Sequence, residues 1–170
     1  MRTLGWDPSL TRTAYALVET PQVLHDHGSI TPGKNWPMLQ RLRYLRSEIL
    51  AVLKELPADV IAIETPSGRA NNKGRGVNLA KYGMAVGVCI AAVEEVRDER
   101  TQVLCLVTDV EWSRTWRGTS GGSLTKSKRA IMLRSAFPGL PSRADDPGDD
   151  VADACGIAWS VSQRLSGVRL

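Results

Sequence analysis

Two short apolar runs in this chain each end in an acid that is followed at once by a proline turn. Leu4-Gly5-Trp6 leads into Asp7-Pro8, and Val60-Ile61-Ala62-Ile63 leads into Glu64-Thr65-Pro66. A brief continuous apolar run closed by turn residues is the pattern of a strand covered on both faces. A carboxylate at the tip of such a strand is paired, protonated or holding a cation, because an isolated buried charge is expensive. In open α/β sheets, strand ends are also where ligands collect. Any fold for this chain has to bury both runs and still satisfy both acids.

The segments around these runs supply the rest of the architecture. Residues 3–6, 13–18 and 23–30 read as three short strands with a Pro-Ser turn and a Glu-Thr-Pro-Gln turn between them, an antiparallel meander. From 36 to 56, Met38, Leu39, Leu42, Leu45, Ile49, Val52, Leu53 and Leu56 recur at helical spacing, and Pro57 ends the pattern. After the strand at 60–63, a helix over 77–96 is apolar around most of its circumference and needs two burial partners. One can be the sheet. A second subunit is the candidate for the other, with Gly83 and Gly87 one turn apart permitting close approach. A strand at 102–107, a Gly/Ser-rich loop at 117–123, a helix at 124–137 and a helix at 148–165 complete the order. Helical crossovers between the third and fourth and the fourth and fifth strands predict a mixed, partly parallel sheet.

At 170 residues the chain is expected to form one domain over its whole length. Its composition, 42% hydrophobic and 24% charged, excludes a disordered, collagen-like or coiled-coil chain. No apolar run approaches a membrane span, and MRTLGWD lacks the apolar region of a secretory signal, so an intracellular, soluble protein is expected. Cys89, Cys105 and Cys155 are far apart among apolar neighbours and read as buried free thiols.

A net charge of +4 is too modest to identify a nucleic-acid binder, but its distribution is informative. No acid occurs between Trp112 and Ala144, where Arg114, Arg117, Lys126, Lys128, Arg129, Arg134 and Arg143 stand. A second acid-free stretch, PSGRANNKGRG, carries Arg69, Lys73 and Arg75. Asp145, Asp146, Asp149, Asp150 and Asp153 cluster instead near the C-terminus. Such segregation suits a polyanion-binding surface around an acidic, cation-dependent centre. Asp150 and Asp153 lie at i, i+3 on one helix face. Oxygen donors without a matching Cys or His cluster favour Mg²⁺ or Mn²⁺ over Zn²⁺, and a pair of such ions can drive phosphodiester hydrolysis.

In this order the residues resemble the RuvC-type Holliday-junction resolvases of the ribonuclease H-like superfamily. LGWDPSLTRTAYALVE is similar to the first strand, acidic turn and second strand of that family, VIAIETP to its second acidic strand, and DDVADACGIAWS to its C-terminal Asp-x-x-Asp helix. The resemblance implies an α/β ribonuclease H-like fold, with a five-stranded mixed sheet flanked by helices. It implies a metal-dependent endonuclease that acts as a homodimer on four-way DNA junctions, with two Mg²⁺ ions per active site and Mn²⁺ as substitute. Residue by residue, Asp7, Glu64, Asp150 and Asp153 match the metal-binding carboxylates, with Asp149 a helix-cap neighbour. Lys126 resembles a basic residue near the scissile phosphate, and Arg114 a second basic position, here Arg rather than Lys.

Arg69, Lys73, Arg75, Arg114, Arg117, Lys128 and Arg129 are the expected DNA-backbone contacts. Two departures stand out. Asp-Pro-Ser replaces Asp-Pro-Gly at the first turn, and the segment after Glu64 lacks the bulky aromatic that cellular members use to pry bases apart. The first, together with the short C-terminus, would suit a phage-type member. The expected location is the cytoplasm, at the nucleoid, or the host cytoplasm for a phage protein; no membrane partner is expected, and the sequence leaves any motor-protein partner unknown. The alternatives are a less selective nuclease on flaps, single strands or hybrids, a catalytically silent DNA-binding module, and an actin-like nucleotide-binding domain, for whose second lobe the chain is short.

Other residues are read as structural. His25 and His27 alternate on a strand without a third ligand and are expected to face solvent. Trp36 and Trp159 fall in helical patterns and are expected in the core, whereas for Trp112 and Trp116, in the basic stretch, base stacking and burial are both open. GRANNKGRG lacks the Gly-Lys-Ser/Thr of a phosphate-binding loop.

Overall fold

The acids at the two strand tips end up side by side because the strands that carry them are neighbours. In a computed structural model, which describes residues 1–67, 76–116 and 124–167, the chain runs β1 (Arg2–Asp7), β2 (Thr13–Glu19), β3 (Val23–Ile30), α1 (Met38–Glu55), β4 (Val60–Thr65), α2 (Gly76–Val96), β5 (Val103–Thr108), α3 (Asp109–Arg114), α4 (Lys126–Ala136) and α5 (Asp150–Leu165). The sheet order is β3-β2-β1-β4-β5. β1 and β2 pair antiparallel, as do β2 and β3, whereas β4 runs parallel to both β1 and β5. This is the mixed five-stranded sheet that the meander and the two helical crossovers predict.

Strand alternation divides the core into two layers. Leu4, Trp6, Leu17, Ile61 and Ile63 pack toward α1 and α2, against Leu45, Ile49, Ala85 and Cys89. Ala14, Ala16, Val18, Val60, Ala62 and Val107 pack toward α5, against Ala154, Ile157, Ala158 and Val161. Gly5 is required here: a Cβ on it would come within 2.3 Å of the Ala154 carbonyl oxygen and 2.7 Å of the Ala158 nitrogen. The helix therefore lies directly on β1. Every residue of α5 from Val151 to Gln163 is buried, because α3 and α4 cover its far side.

The same parity aims the acids. Trp6 pairs with Ile63 and both face α1 and α2, so Asp7 and Glu64, one residue further on each strand, face the opposite layer, where α5 begins. Both acids lie within their strands, not just beyond them.

Several expectations are corrected. Trp36 lies outside α1, ahead of the Pro37 N-cap, and is 37% exposed. Trp112 and Trp116 are core residues at 0% and 7% exposure, which leaves neither free to stack on a base. Helix α3 was unanticipated although its signal is present: Thr108 and Glu111 form a capping box. Asp149 occupies the N-cap position of α5 in the left-handed region, φ 58, but makes no side-chain cap bond. That task falls to Asp146, whose carboxylate accepts from the backbone N–H groups of Asp150, Val151 and Ala152 at 3.1, 3.2 and 3.3 Å. Cys89 and Cys155 are buried thiols; Cys105 is half-buried. No helix among the described residues is long and apolar enough to cross a membrane.

Candidate active site

Asp7 from β1, Glu64 from β4, and Asp150 and Asp153 from the first turn of α5 converge at one end of the sheet. Each comes from a different kind of constraint. Asp7 and Glu64 are delivered by strand register, and Asp150 and Asp153 by the Asp146 cap that fixes where α5 starts. Lys126, the first residue of α4, reaches Asp150 Oδ1 at 3.3 Å and Asp153 Oδ2 at 3.1 Å. Arg129, one turn on, donates Nε and Nη2 to Asp153 Oδ1 at 3.1 and 2.9 Å. Trp112 donates its indole N–H to Glu64 Oε2 at 3.3 Å.

The electrostatics record a shortage of positive charge. Burial, then the charges of Glu64 and Asp153, push the Asp7 carboxyl well above the usual carboxylate range, against the pull of Lys126. Glu64 is pushed up to about 7 by burial and by Asp153 and Asp109, against the Trp112 hydrogen bond and Arg129. Burial also raises Asp153, although Arg129 and Lys126 oppose it. Burial pulls Lys126 down, but Asp153, Asp150 and Asp7 more than reverse this and hold it firmly protonated. Four carboxylates thus share two cationic side chains, Lys126 and Arg129.

An all-oxygen donor set with uncompensated negative charge fits a hard divalent cation. Among the described residues, no three acidic, His or Cys side chains are already drawn together as a ligand cage; Asp150 and Asp153 face Lys126 and Arg129 instead.

Of the expected DNA contacts, Arg114 ends α3 and is exposed, and Lys128 is exposed on α4. Arg129 is turned inward onto Asp153, so it is not free for a phosphate in this arrangement. Arg69, Lys73, Arg75 and Arg117 lie outside the described residues. His25 and His27 bond Glu19 and the Gly139 carbonyl and stand apart from the acids.

Sequence reasoning missed Tyr82 and Asp109, and read Asp146 only as an acid at the start of the last helix. Tyr82 on α2 has a buried hydroxyl without a partner among the described residues, and burial plus the charges of Glu64, Asp7 and Asp109 drive it upward. Asp109 opens α3 beside Glu64. Asp146 is fully buried between Arg12, at 3.1 Å, and Arg134, at 3.4 Å, while Arg134 also binds Asp149 at 2.7 Å. The Asp-Asp-Pro-Gly turn before the helix carried a signal for Asp146; nothing in the local sequence pointed to Tyr82.

No protein-family model matches the chain. Two crossover junction endodeoxyribonucleases named RuvC match it from end to end. That of Rhodopseudomonas palustris is 28% identical over 175 residues, covering 100% of this chain and 92% of the relative. That of Dictyoglomus thermophilum is 25% identical, covering 98% of this chain and 99% of the relative. Along its whole length the chain is similar to RuvC. The alignment to RuvC therefore takes in all three acidic segments and the Lys126 helix. Among solved structures, Thermus thermophilus RuvC in complex with a Holliday junction superposes with a TM-score of 0.72 at 19% identity, covering 98% of this chain and 96% of that one. The fowlpox virus resolvase bound to a Holliday junction gives 0.52 at 13% identity, covering 97% and 99%. These likenesses establish the ribonuclease H-like fold.

Proposed function

We propose that this chain is a metal-dependent, structure-selective DNA endonuclease that resolves four-way junctions by hydrolysing one phosphodiester on each of two strands. The observation that carries the reading is the convergence of Asp7, Glu64, Asp150 and Asp153 with Lys126, from four separate elements, at the sheet end where strands β1 and β4 finish. Its full-length similarity to RuvC supports the junction as substrate. The whole chain acts as one nuclease domain, inside the cell, wherever branched DNA arises.

Asp7, Glu64, Asp150 and Asp153 would hold two Mg²⁺ ions, with Mn²⁺ as substitute. When bound, these ions supply the Lewis acidity that activates water and stabilises the leaving oxygen. Lys126, kept protonated by its acidic neighbours, sets a fixed positive charge beside the cleaved phosphate. Glu64 must be ionised to serve as a ligand, and because its carboxyl is pushed up to about 7 without metal, cation uptake is tied to loss of its proton. Arg114 and Lys128, together with the acid-free segments at 66–76 and 112–123, grip the backbone, so affinity falls steeply with salt.

A homodimer places two such sites on one junction. The face of α2 that the sheet leaves uncovered supports this: Leu79 and Met84 are 40% and 46% exposed, and a Cβ on Gly83 or Gly87 would meet nothing within 4 Å. Sedimentation that finds only monomer, with and without DNA, refutes the paired cut.

The deciding experiment is cleavage of an immobile four-way junction by wild type and Asp7→Asn, with Mg²⁺, Mn²⁺ or excess chelator, mapping nicks on every strand. Symmetric nicks that need both metal and Asp7 are expected. Scattered nicks, or a preference for flaps or single strands, replace the junction with a less selective nuclease reading. Tight binding without cleavage leaves a silent DNA-binding module.

A further inference from the structure

A concavity opens at the same end of the sheet as the acidic site, on the side of α1 and α2. β1, β3 and β4 all run in the same direction, so the turn after β1, the segment after β3 and the start of α2 meet at one end of the sheet. There Leu10, Thr11, Trp36, Met38, Arg41 and Lys81 line a cavity of about 250 Å³. Leu10 and Thr11 follow Asp7 by three and four positions. Lys81 adjoins Tyr82, the hydroxyl that feels the charges of Glu64 and Asp7. The cavity thus lies at the same end of the sheet as the carboxylates, on the α1 and α2 side, and shares no residue with them.

Trp36 is mounted rigidly in this cavity. Its indole rests over Gly33, where a Cβ would approach Cε2 to 2.5 Å, and its edge meets the Tyr44 ring at 5.3 Å and 85°. Its backbone N–H donates to the Gly33 carbonyl at 3.0 Å. Arg41 pins the same segment, donating to the carbonyls of Trp36, at 3.1 Å, and Lys34. Yet Trp36 is 37% exposed, whereas Trp6, Trp112, Trp116 and Trp159 are at most 7% exposed. An exposed aromatic with little conformational freedom left to lose, in a hollow with an ammonium at the rim, is the platform on which an unstacked base binds. The acid-free segment after Glu64, 66–76, offers no aromatic of its own.

We propose that this cavity receives an unpaired nucleobase of the branched DNA, stacked on Trp36, with an adjoining phosphate held by Lys81. The inference rests on the nuclease reading above and specifies how the site tells a branch point from a continuous duplex: only at the branch is a base free to leave its stack at little cost.

Because Trp36 is the exposed indole, the intact protein reports on its own cavity. Asp7→Asn in chelator is titrated with a four-way junction carrying unpaired thymines at the exchange point, and with a linear duplex. The junction is expected to quench tryptophan emission and protect it from acrylamide, and the duplex to do neither. Trp36→Ala is expected to abolish the response and weaken junction binding about tenfold, the scale of one lost base stack, with duplex binding unchanged. Trp36→Phe, which keeps a stacking face, is expected to retain most of the affinity. Junction binding without any change at Trp36, or an equal loss on junction and duplex in Trp36→Ala, overturns the cavity and leaves the nuclease reading intact. Failure of Asp7→Asn to bind any DNA overturns both.

Discussion

The guanidinium carbon of Arg129 lies 4.3 Å from the centroid of the Trp112 ring. Each partner reaches a different acid. Arg129 binds Asp153 on α5, and Trp112 donates to Glu64 on β4. The stacked pair thus ties the two halves of the carboxylate cluster together through a single cation–π contact.

Trp112→Phe keeps an aromatic face under Arg129 but removes the N–H that favours ionised Glu64. The Glu64 carboxyl should move above its present value near 7, and the acid limb of the cleavage pH profile should shift upward with it. Stability should fall by about 1 kcal/mol for the lost hydrogen bond. An acid limb that stays in place would show that Glu64 does not govern that limb.

The raised carboxyl of Glu64 also has a consequence for folding in the absence of metal. Its ordinary value is 4.5 and its folded value about 7, so between these the folded chain binds more protons than the unfolded chain. Stability is therefore greatest below about pH 4.5 as far as this group is concerned, and it declines as the pH rises toward 7. Asp7 and Asp153 are shifted in the same sense. Since Glu64 keeps some contact with solvent, its share is on the order of 2 kcal/mol. Denaturant titrations of wild type and Glu64→Gln in chelator, at pH 5 and 7.5, should show the variant gaining relative to wild type at the higher pH. A constant difference between them would contradict the buried, charge-crowded carboxylate.

Asp146 is expected to matter as much as the acids it positions. Its side chain is fully buried, caps three N–H groups of α5 and neutralises Arg12 and Arg134. Asp146→Ala would strand those donors and Arg12 and leave Arg134 with Asp149 alone, at a cost of about 3–5 kcal/mol in urea unfolding. Asp146→Asn keeps the shape and one acceptor, so it should fold and bind DNA while cleaving more slowly, because Asp150 and Asp153 lose their fixed origin. Equal cleavage by Asp146→Asn and wild type would confine the residue to stability.

Much of this site could be read from the chain because its causes are local. Asp7 and Glu64 announce themselves by ending apolar runs, and Asp150 and Asp153 by their helical spacing. The mixed, partly parallel character of the sheet follows from turn chemistry and crossover length. What escaped depends on contacts between segments distant in sequence. Arg129 reads as one of several basic residues, and only the packing of α4 on α5 turns it onto Asp153. Trp112 reads equally as a surface or a core aromatic until α3 lays it under that guanidinium. Trp36 continues the helical spacing of its neighbours, but Pro37 starts the helix after it and leaves the ring outside. Helix α3 is signalled by Thr108-x-x-Glu111, but at six residues it is too short to show a helical period of its own.

The last prediction concerns how a cation would enter. Hard-cation ligation requires ionised carboxylates, yet burial and mutual repulsion raise Asp7 and push Glu64 up to about 7, so Glu64 is partly protonated near neutral pH. Mg²⁺ uptake should therefore expel protons. It should also compete with Lys126, which holds Asp150 and Asp153 through its own charge and stays protonated throughout. Calorimetric titration of the DNA-free protein in two buffers of different ionisation heat should show more proton release at pH 6.5 than at pH 8, with affinity rising between them. Lys126→Met should bind Mg²⁺ more tightly than wild type while cleaving far more slowly, by about 10²-fold or more if Lys126 stabilises charge at the phosphate. Tighter metal binding with undiminished cleavage would make Lys126 a placeholder for the cation and remove it from the chemistry. Weaker metal binding would mean that the lysine orders the acids, not that it competes for them.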